Sequence, residues 1–180
     1  MLATVVTPTW RLVAAWLARR RVARRHRQLH PLWNALYRAM PEIALNPPNR
    51  PERIFGFRAV DARRRLYRRV IEINDGLHQL QPYIEPTVRD AIHSQACTIE
   101  SNPDRAAAIG DAGAIAIALS RLAAGVVPST DTFPAATAKV PPDIGSEVAR
   151  LVAISRAYAR SPVVHRALQA DADCNPVRRT

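Results

Sequence analysis

The segment Leu66-Tyr67-Arg68-Arg69-Val70-Ile71-Glu72-Ile73-Asn74-Asp75-Gly76-Leu77-His78-Gln79-Leu80 decides the fold. Its apolar residues recur at alternating intervals of four and three, which is the period of a helix with one apolar face. At about 100° per residue they fall within roughly 80° of the helix circumference. This seam consists of Leu66, Val70, Ile73, Leu77 and Leu80. So narrow a seam predicts a helix that packs against another helix.

A second, less apolar stripe lies on the same helix, about 120° from the seam. It consists of Tyr67, Ile71 and His78, and we predict that it is a candidate interaction surface for a protein partner of unknown identity. Glu72 falls on the remaining face, which we interpret as solvated. Gly76 costs about 1 kcal/mol relative to alanine inside a helix, so it predicts a close backbone approach or a local bend.

Start and stop signals place further helices around this one. His30-Pro31 predicts the start of a short amphipathic helix that contains Leu32 and Trp33. Pro86 predicts the start of another helix. Asn102-Pro103 combines a capping side chain with a proline at the first helical position, which is a strong start signal.

The helix that begins at Pro103 contains a run, Ala112 to Leu119, that is apolar on every side. The run is too short for a bilayer, so it predicts a small-residue helix buried by its neighbours. Gly125 ends this helix, and residues 126–141 form a connection without periodicity. A long helix is predicted over about 142–160 and a short one over 163–168. Because no segment alternates like a strand, the sequence predicts an all-α, compact bundle of about five to six helices.

Positive charge is concentrated at the amino terminus. The net charge is +11, but the first forty-one residues hold eight arginines and no acidic residue, which leaves a balance of only +3 elsewhere. A short apolar run, Leu12 to Ala18, comes directly before the arginine cluster. We therefore divide the chain into a projecting, apolar-then-basic, juxtamembrane-like helix (1–29), a helical domain (30–170) and a frayed tail (171–180).

Such an order is typical of a membrane helix where it leaves the bilayer on the cytoplasmic side, because arginines meet the anionic leaflet there and resist translocation. The apolar run is shorter than the roughly 20 residues of a spanning helix. Three interpretations remain: the cytosolic end of a longer membrane helix, an interfacial anchor, or a solvated basic helix. A signal peptide is excluded because the charges follow the apolar run. The predicted membrane-binding and anion-binding residues are Trp10, Trp16, Arg19, Arg20, Arg21, Arg24, Arg25 and Arg27.

No motif for catalysis or for a cofactor stands out: the sequence has no phosphate-binding glycine loop and no nucleophile elbow. Asp75 with His78 and His93 with Cys97 have the spacings of helical metal ligands, but projection places Asp75 nearly opposite the apolar seam. We therefore predict no metal, no cofactor, no small-molecule substrate and no enzymatic activity. We interpret Cys97 as a buried structural cysteine in a reduced, cytosolic setting. An enzyme with a helical metal centre is kept as a lesser alternative.

The arginines of the segment 63–69 provide a different hypothesis. Together with the basic amino-terminal helix they would make a small cytosolic nucleic-acid-binding protein. Against this, Glu72 lies four residues after Arg68 and Asp61 four residues before Arg65, the spacing of ion pairs along a helix. No base-reading motif accompanies these arginines.

Three strings carry a family resemblance: Leu32-Trp33, Pro41-Glu42-Ile43-Ala44-Leu45, and the segment from Leu66 to Leu77 quoted above. Over about residues 20–165 the chain resembles the carboxy-terminal cytoplasmic domain of an uncharacterised actinobacterial family of membrane proteins, which are labelled as transporters. The resemblance implies an all-helical domain of unknown function beside a membrane region. It implies no catalytic or ligand-binding residue. The membrane region is missing from this chain, which argues against transport by the chain itself.

The leading hypothesis is thus a non-enzymatic, membrane-proximal regulatory or protein-interaction domain at the inner face of the plasma membrane. Its expected partners are anionic lipid and an unidentified protein, with nucleic acid as the alternative. A shortened product of a longer membrane protein, in which the missing part does the work, is a further interpretation.

Overall fold

The computed structural model describes residues 6–44, 59–127 and 143–174. These residues form six α-helices and no strand, so the predicted all-α bundle is confirmed. The helices are α1 (Val6–Ala39), α2 (Ala59–Leu80), α3 (Pro86–Cys97), α4 (Pro103–Ala123), α5 (Ile144–Arg160) and α6 (Pro162–Cys174). Short 3₁₀ turns, Pro41–Ile43 and Gln81–Tyr83, follow α1 and α2. Most of the predicted connection over 126–141 lies outside the described residues.

The centre of the bundle is α4, which contacts each of the other five helices. Every residue from Ala112 to Leu119 is buried, as the all-round apolar pattern predicts. Among the described helices, α4 alone is also long and apolar enough to cross a membrane, yet 61% of its apolar window is buried inside the bundle. Asn102 caps its first turn by accepting hydrogen bonds from the backbone N–H groups of Asp104 and Arg105. Gly125, at a φ of 67°, ends it.

Two glycines let α3 and α4 approach closely. A Cβ atom on Gly110 would lie 2.9 Å from the Cβ of His93, and one on Gly113 would lie 2.7 Å from the Cδ1 of Ile92. Such distances leave no room for a side chain. The small residues of α4 therefore set the spacing between the two helices.

The seam of α2 faces α1, as its period predicts. Four of its members are buried and the fifth packs against the same core. A Cβ atom on Gly76 would lie 3.2 Å from the Cδ1 of Ile43 and 3.4 Å from the Cβ of Leu36. The close approach expected at this glycine is confirmed.

One boundary differs from the sequence-based prediction: α1 is continuous through His30 and Pro31, where we expected a new helix to begin. A proline inside a helix removes one backbone hydrogen bond and crowds the preceding turn. Next to Pro31, the buried Ser155 of α5 accepts a 3.2 Å hydrogen bond from the backbone N–H of Leu32. The neighbouring helix thus satisfies a backbone donor at the point where the proline disturbs α1. At the other end of the chain, α6 continues past Asp171 to Cys174, and residues 175–180 lie outside the described part.

Candidate functional site

The first half of α1 extends away from the bundle. Val22 is its first side chain to pack against the core, and Leu29, Leu32 and Leu36 follow as fully buried residues. At a rise of about 1.5 Å per residue, Trp10 lies roughly 18 Å beyond Val22 along the helix axis. We refer to residues 10–21 as the projecting half of α1.

Large apolar side chains of the projecting half are exposed. They are between 44% and 71% accessible, although leucine, valine and tryptophan are usually covered in a folded domain. These side chains are Trp10, Leu12, Val13, Trp16 and Leu17. Five large apolar residues within eight positions form a patch of the kind that marks an interaction site.

All six predicted anion-binding arginines are exposed, and they begin directly after this patch. The guanidinium of Arg20 lies 4.0 Å from the ring centroid of Trp16, which is within cation–π range. No acidic residue occurs in α1, so no carboxylate of the same helix offsets this charge. The structure therefore brings the two predicted tryptophans and the six arginines together on one helical segment.

The second predicted surface, on α2, is open to solvent. Tyr67 is 39% exposed and Ile71 is 51% exposed, and His78 on the same stripe is exposed as well. The three side chains share one face of α2, as their spacing predicts.

The interpretation of Glu72 as a solvated residue was wrong. Its side chain is buried, and its Oε2 accepts a 2.8 Å hydrogen bond from the indole Nε1 of Trp33. The guanidinium of Arg69 lies 3.7 Å from the Trp33 ring centroid, and its Nε is 3.8 Å from the same carboxylate oxygen. Tyr37 also stacks on Trp33, with 5.0 Å between ring centroids. A buried indole N–H needs an acceptor, and this requirement was the signal that could have found the pair.

The arginines proposed for nucleic-acid binding are thus not equivalent. Arg63 and Arg64 are exposed, whereas Arg65 and Arg68 are half-buried and Arg69 is engaged with Trp33 and Glu72. The run does not form one continuous basic surface.

A family of unknown function, DUF6545, matches residues 15–161, which is most of the chain. The chain belongs to the DUF6545 family. The DUF6545 match begins in the projecting half of α1, so it contains Trp16 and all six arginines but not Trp10. It ends at Ser161, immediately before α6. No curated protein matches the chain, and no solved structure does.

Metal ligands do not gather in the described part of this DUF6545 domain: no group of three or more histidine, cysteine or acidic side chains is placed to hold an ion. The Sγ of Cys97 lies 3.7 Å from the Nε2 of His93, so this predicted pair does meet. Cys97 is exposed, however, and its interpretation as a buried structural cysteine was wrong. It lies at the end of α3, beyond the last buried residue of that helix, Ala96.

Ion pairs join the helices of the DUF6545 bundle. Arg89 of α3 donates a 2.6 Å hydrogen bond to Asp111 of α4, and this bond is the main reason that the pKa of Arg89 is raised. Arg121 of α4 contacts Glu85 at 2.5 Å and Asp171 of α6 at 3.3 Å. These arginines of the body link neighbouring helices.

Proposed function

We propose that this DUF6545 domain is a non-enzymatic, membrane-proximal regulatory or protein-interaction domain on the cytoplasmic side, and that α1 docks it on an anionic lipid surface. The observation that carries the proposal is the juxtaposition, on one helix without acidic residues, of exposed apolar side chains and six exposed arginines. Exposed apolar patches of this kind often mark interaction surfaces.

The expected free energy of membrane binding is the sum of several small contributions. A basic side chain near an anionic leaflet contributes about 1 kcal/mol, so six arginines suffice for peripheral binding. Tryptophan favours the interface between headgroups and acyl chains, where its ring is buried and its N–H is hydrated. Trp10 and Trp16 supply this second component.

The body of the domain would then present the exposed stripe of α2 to a protein partner. Tyr67 and Ile71 supply apolar contact area, and His78 supplies a polar edge to the same face. The resemblance to cytoplasmic domains of actinobacterial membrane proteins labelled as transporters supports a position beside a membrane region. In that setting the role is recruitment or regulation and not transport.

The test is co-flotation of the full chain with vesicles of phosphatidylglycerol and phosphatidylcholine, compared with phosphatidylcholine alone. One variant replaces the six arginines between Arg19 and Arg27 with glutamine. A matched control replaces six exposed arginines of the rest of the chain, so that both variants lose the same charge. The control positions are Arg38, Arg63, Arg64, Arg156, Arg160 and Arg166.

We expect the parent and the control variant to float with the anionic vesicles, and the α1 variant to remain in the soluble fraction. Equal loss in both variants would mean that only net charge matters, which overturns the proposal. Stronger binding of the parent to duplex DNA than to anionic vesicles, at the same salt concentration, would favour the nucleic-acid alternative instead.

A further inference from the structure

The exposed face of α2 carries charged residues on both sides of its apolar pair. Arg64 precedes Tyr67 and Ile71 along this face, and Asp75 and His78 follow them. All five side chains are exposed, and Ile71, near the middle of the helix, is 51% accessible. At about 100° per residue the five positions span roughly 80° of the circumference. We refer to these five residues as the extended α2 stripe.

The order of the residues makes this stripe complementary to itself. Tyr67 and Ile71 are equally far from position 69. Arg64 and Asp75 are equally far from the point between positions 69 and 70. At a rise of about 1.5 Å per residue, these two midpoints differ by less than about 1 Å. One two-fold axis at this point therefore serves both pairs.

A second copy of α2, placed antiparallel about that axis, meets complementary residues along the stripe. Tyr67 of each copy faces Ile71 of the other, and the aromatic and aliphatic side chains make an apolar centre. Arg64 of each copy faces Asp75 of the other. A two-fold contact requires that every interaction is repeated with the roles of the copies exchanged, and the stripe meets this requirement.

The two charges also lie on the same edge of the stripe. Around the helix, Arg64 and Asp75 are displaced in the same direction from Ile71, by about 20° and 40°. A two-fold axis perpendicular to two antiparallel helices keeps each edge on its own side, so the guanidinium of one copy and the carboxylate of the other meet there. The other arginines of α2 lie about 60° or more from Ile71, outside the centre of the contact.

Building on the proposed function, we infer that the protein partner of the extended α2 stripe is a second copy of this chain, bound through an antiparallel contact between the two α2 helices. The stripe is about 21 Å long. One helix pair of this length buries less than the roughly 1,600 Å² of a standard stable interface. The association is therefore weak, with a Kd in the micromolar range or above, and it responds to the local concentration that docking on a membrane would raise.

A charge swap tests the contact in solution, without lipid. Arg64→Glu places carboxylates opposite each other, Asp75→Arg places guanidiniums opposite each other, and the double variant restores opposite charges. Within one copy the two positions are about 16 Å apart along the helix, beyond the screening length of about 8 Å in physiological salt. Restoration in the double variant therefore reports contact between copies.

A matched control separates this contact from a general effect of net charge. Arg160→Glu makes the same change of charge at an exposed position of α5. Combined with Asp75→Arg, it has the same net charge as the swapped variant but does not restore the pair. Far-UV circular dichroism checks that each variant keeps the helical content of the parent.

Sedimentation equilibrium over a range of concentrations gives the Kd of each variant. We expect Arg160→Glu to associate like the parent. Each single stripe variant should weaken association about tenfold, since two symmetry-related pairs change together, and the double stripe variant should return to within about threefold of the parent. A parent that stays monomeric, single variants that associate like the parent, or a double variant without restoration would each overturn the inference.

A second pair of variants tests the apolar centre. Ile71→Asp places carboxylates close to the two-fold axis and should abolish association, whereas Ile99→Asp, at another exposed isoleucine, should leave it unchanged. Equal association of these two variants contradicts the contact. Co-flotation of the parent with anionic vesicles separates the two proposals: a monomer that floats contradicts only this inference, and a dimer that does not float contradicts only docking on lipid.

Discussion

Trp33 of α1 and Glu72 of α2, thirty-nine residues apart in sequence, are joined by a 2.8 Å hydrogen bond in the interior of the bundle. Burial of a carboxylate is costly unless it is paired and hydrogen-bonded, and here the indole N–H and the guanidinium of Arg69 supply both interactions. Because the bond is directional, it favours one register of α1 against α2. The apolar seam alone would tolerate neighbouring registers.

Replacing Glu72 with alanine should lower the free energy of unfolding by about 2–3 kcal/mol, because the buried indole N–H loses its charged acceptor. Urea denaturation followed by circular dichroism measures the change. The exposed Glu42 provides the control, since Glu42→Ala should leave stability nearly unchanged.

A double-mutant cycle with Trp33→Phe tests whether the hydrogen bond itself is responsible. We expect the two substitutions to be clearly non-additive, with a coupling of about 1–2 kcal/mol. Additive losses would mean that the stability of this region comes from ring packing and not from the pair.

Ser155→Ala should destabilise the fold by about 1–3 kcal/mol, since it leaves the backbone N–H of Leu32 buried without this acceptor. Ser94→Ala, at an exposed position of α3, is the matched control. In a Pro31→Ala background the cost should shrink, because α1 can then close a regular helical hydrogen bond at Leu32. An unchanged cost in that background would contradict the proposed link to the proline.

Gly110→Ala and Gly113→Ala should each destabilise the protein by about 1–3 kcal/mol, although alanine is the better helix former by about 1 kcal/mol. The two variants should differ in whether a second substitution, which shortens the neighbouring side chain, restores stability. The new Cβ at 113 meets the end of the Ile92 side chain, so Ile92→Val should recover part of the loss. The new Cβ at 110 meets the Cβ of His93 and the carbonyl oxygen of Arg89, which a shorter side chain cannot relieve.

Acid should weaken the fold in part through Glu147. Burial alone would raise the pKa of this carboxyl, but hydrogen bonds from Arg150 and Asn74 and the charge of Arg150 outweigh it and lower the pKa. A lowered pKa in the folded state means that the contribution is complete above the unfolded value of about 4.3 and is lost as the pH falls through the folded value.

Glu147→Gln should therefore destabilise the protein at neutral pH, and the difference from the parent should be smaller at pH 3 than at pH 7. Urea denaturation at both pH values measures this. A difference that stays constant with pH would show that Glu147 contributes through packing and not through its charge.

Ile71→Ser and Tyr67→Ser should change the free energy of unfolding much less than a substitution on the seam, by about 0.5–1 kcal/mol each, because both side chains are exposed. Ile73→Ala, two positions away on the buried seam, should cost about 2–5 kcal/mol. A large loss from the surface substitutions would mean that another part of the chain covers this stripe, and would remove it as a candidate partner surface.

Periodicity and capping made most of the bundle predictable. The seam of α2, the buried centre of α4 and the start of α4 at Asn102-Pro103 all depend on residues close together in sequence. Gly76 was recognisable for the same reason, since a glycine inside an amphipathic helix implies that something lies close to it. Trp16 and the arginines that follow it could be grouped because one helical segment carries them.

The missed features depend on contacts between distant residues. Nothing near Pro31 in sequence announces that a serine more than one hundred positions away will accept the hydrogen bond of Leu32. The charge of Glu72 led to the prediction that it is solvated, because its hydrogen-bond partner, Trp33, lies on another helix. The exposure of Cys97 depends on where α3 stops, and helix ends are poorly fixed by local propensity.

Because α1 is one continuous helix, its projecting half is joined directly to a second half that is packed in the core. This second half is anchored by three fully buried side chains, Leu29, Leu32 and Leu36. Beside Pro31, Ser155 accepts the hydrogen bond of the Leu32 N–H, and the helix continues without a break. Both α2 and α5 pack against this second half of α1. The packing of α1 on α2 therefore determines how its projecting half is oriented relative to the Tyr67–Ile71 face. A protein bound to that face would have a defined orientation relative to a surface bound by Trp10.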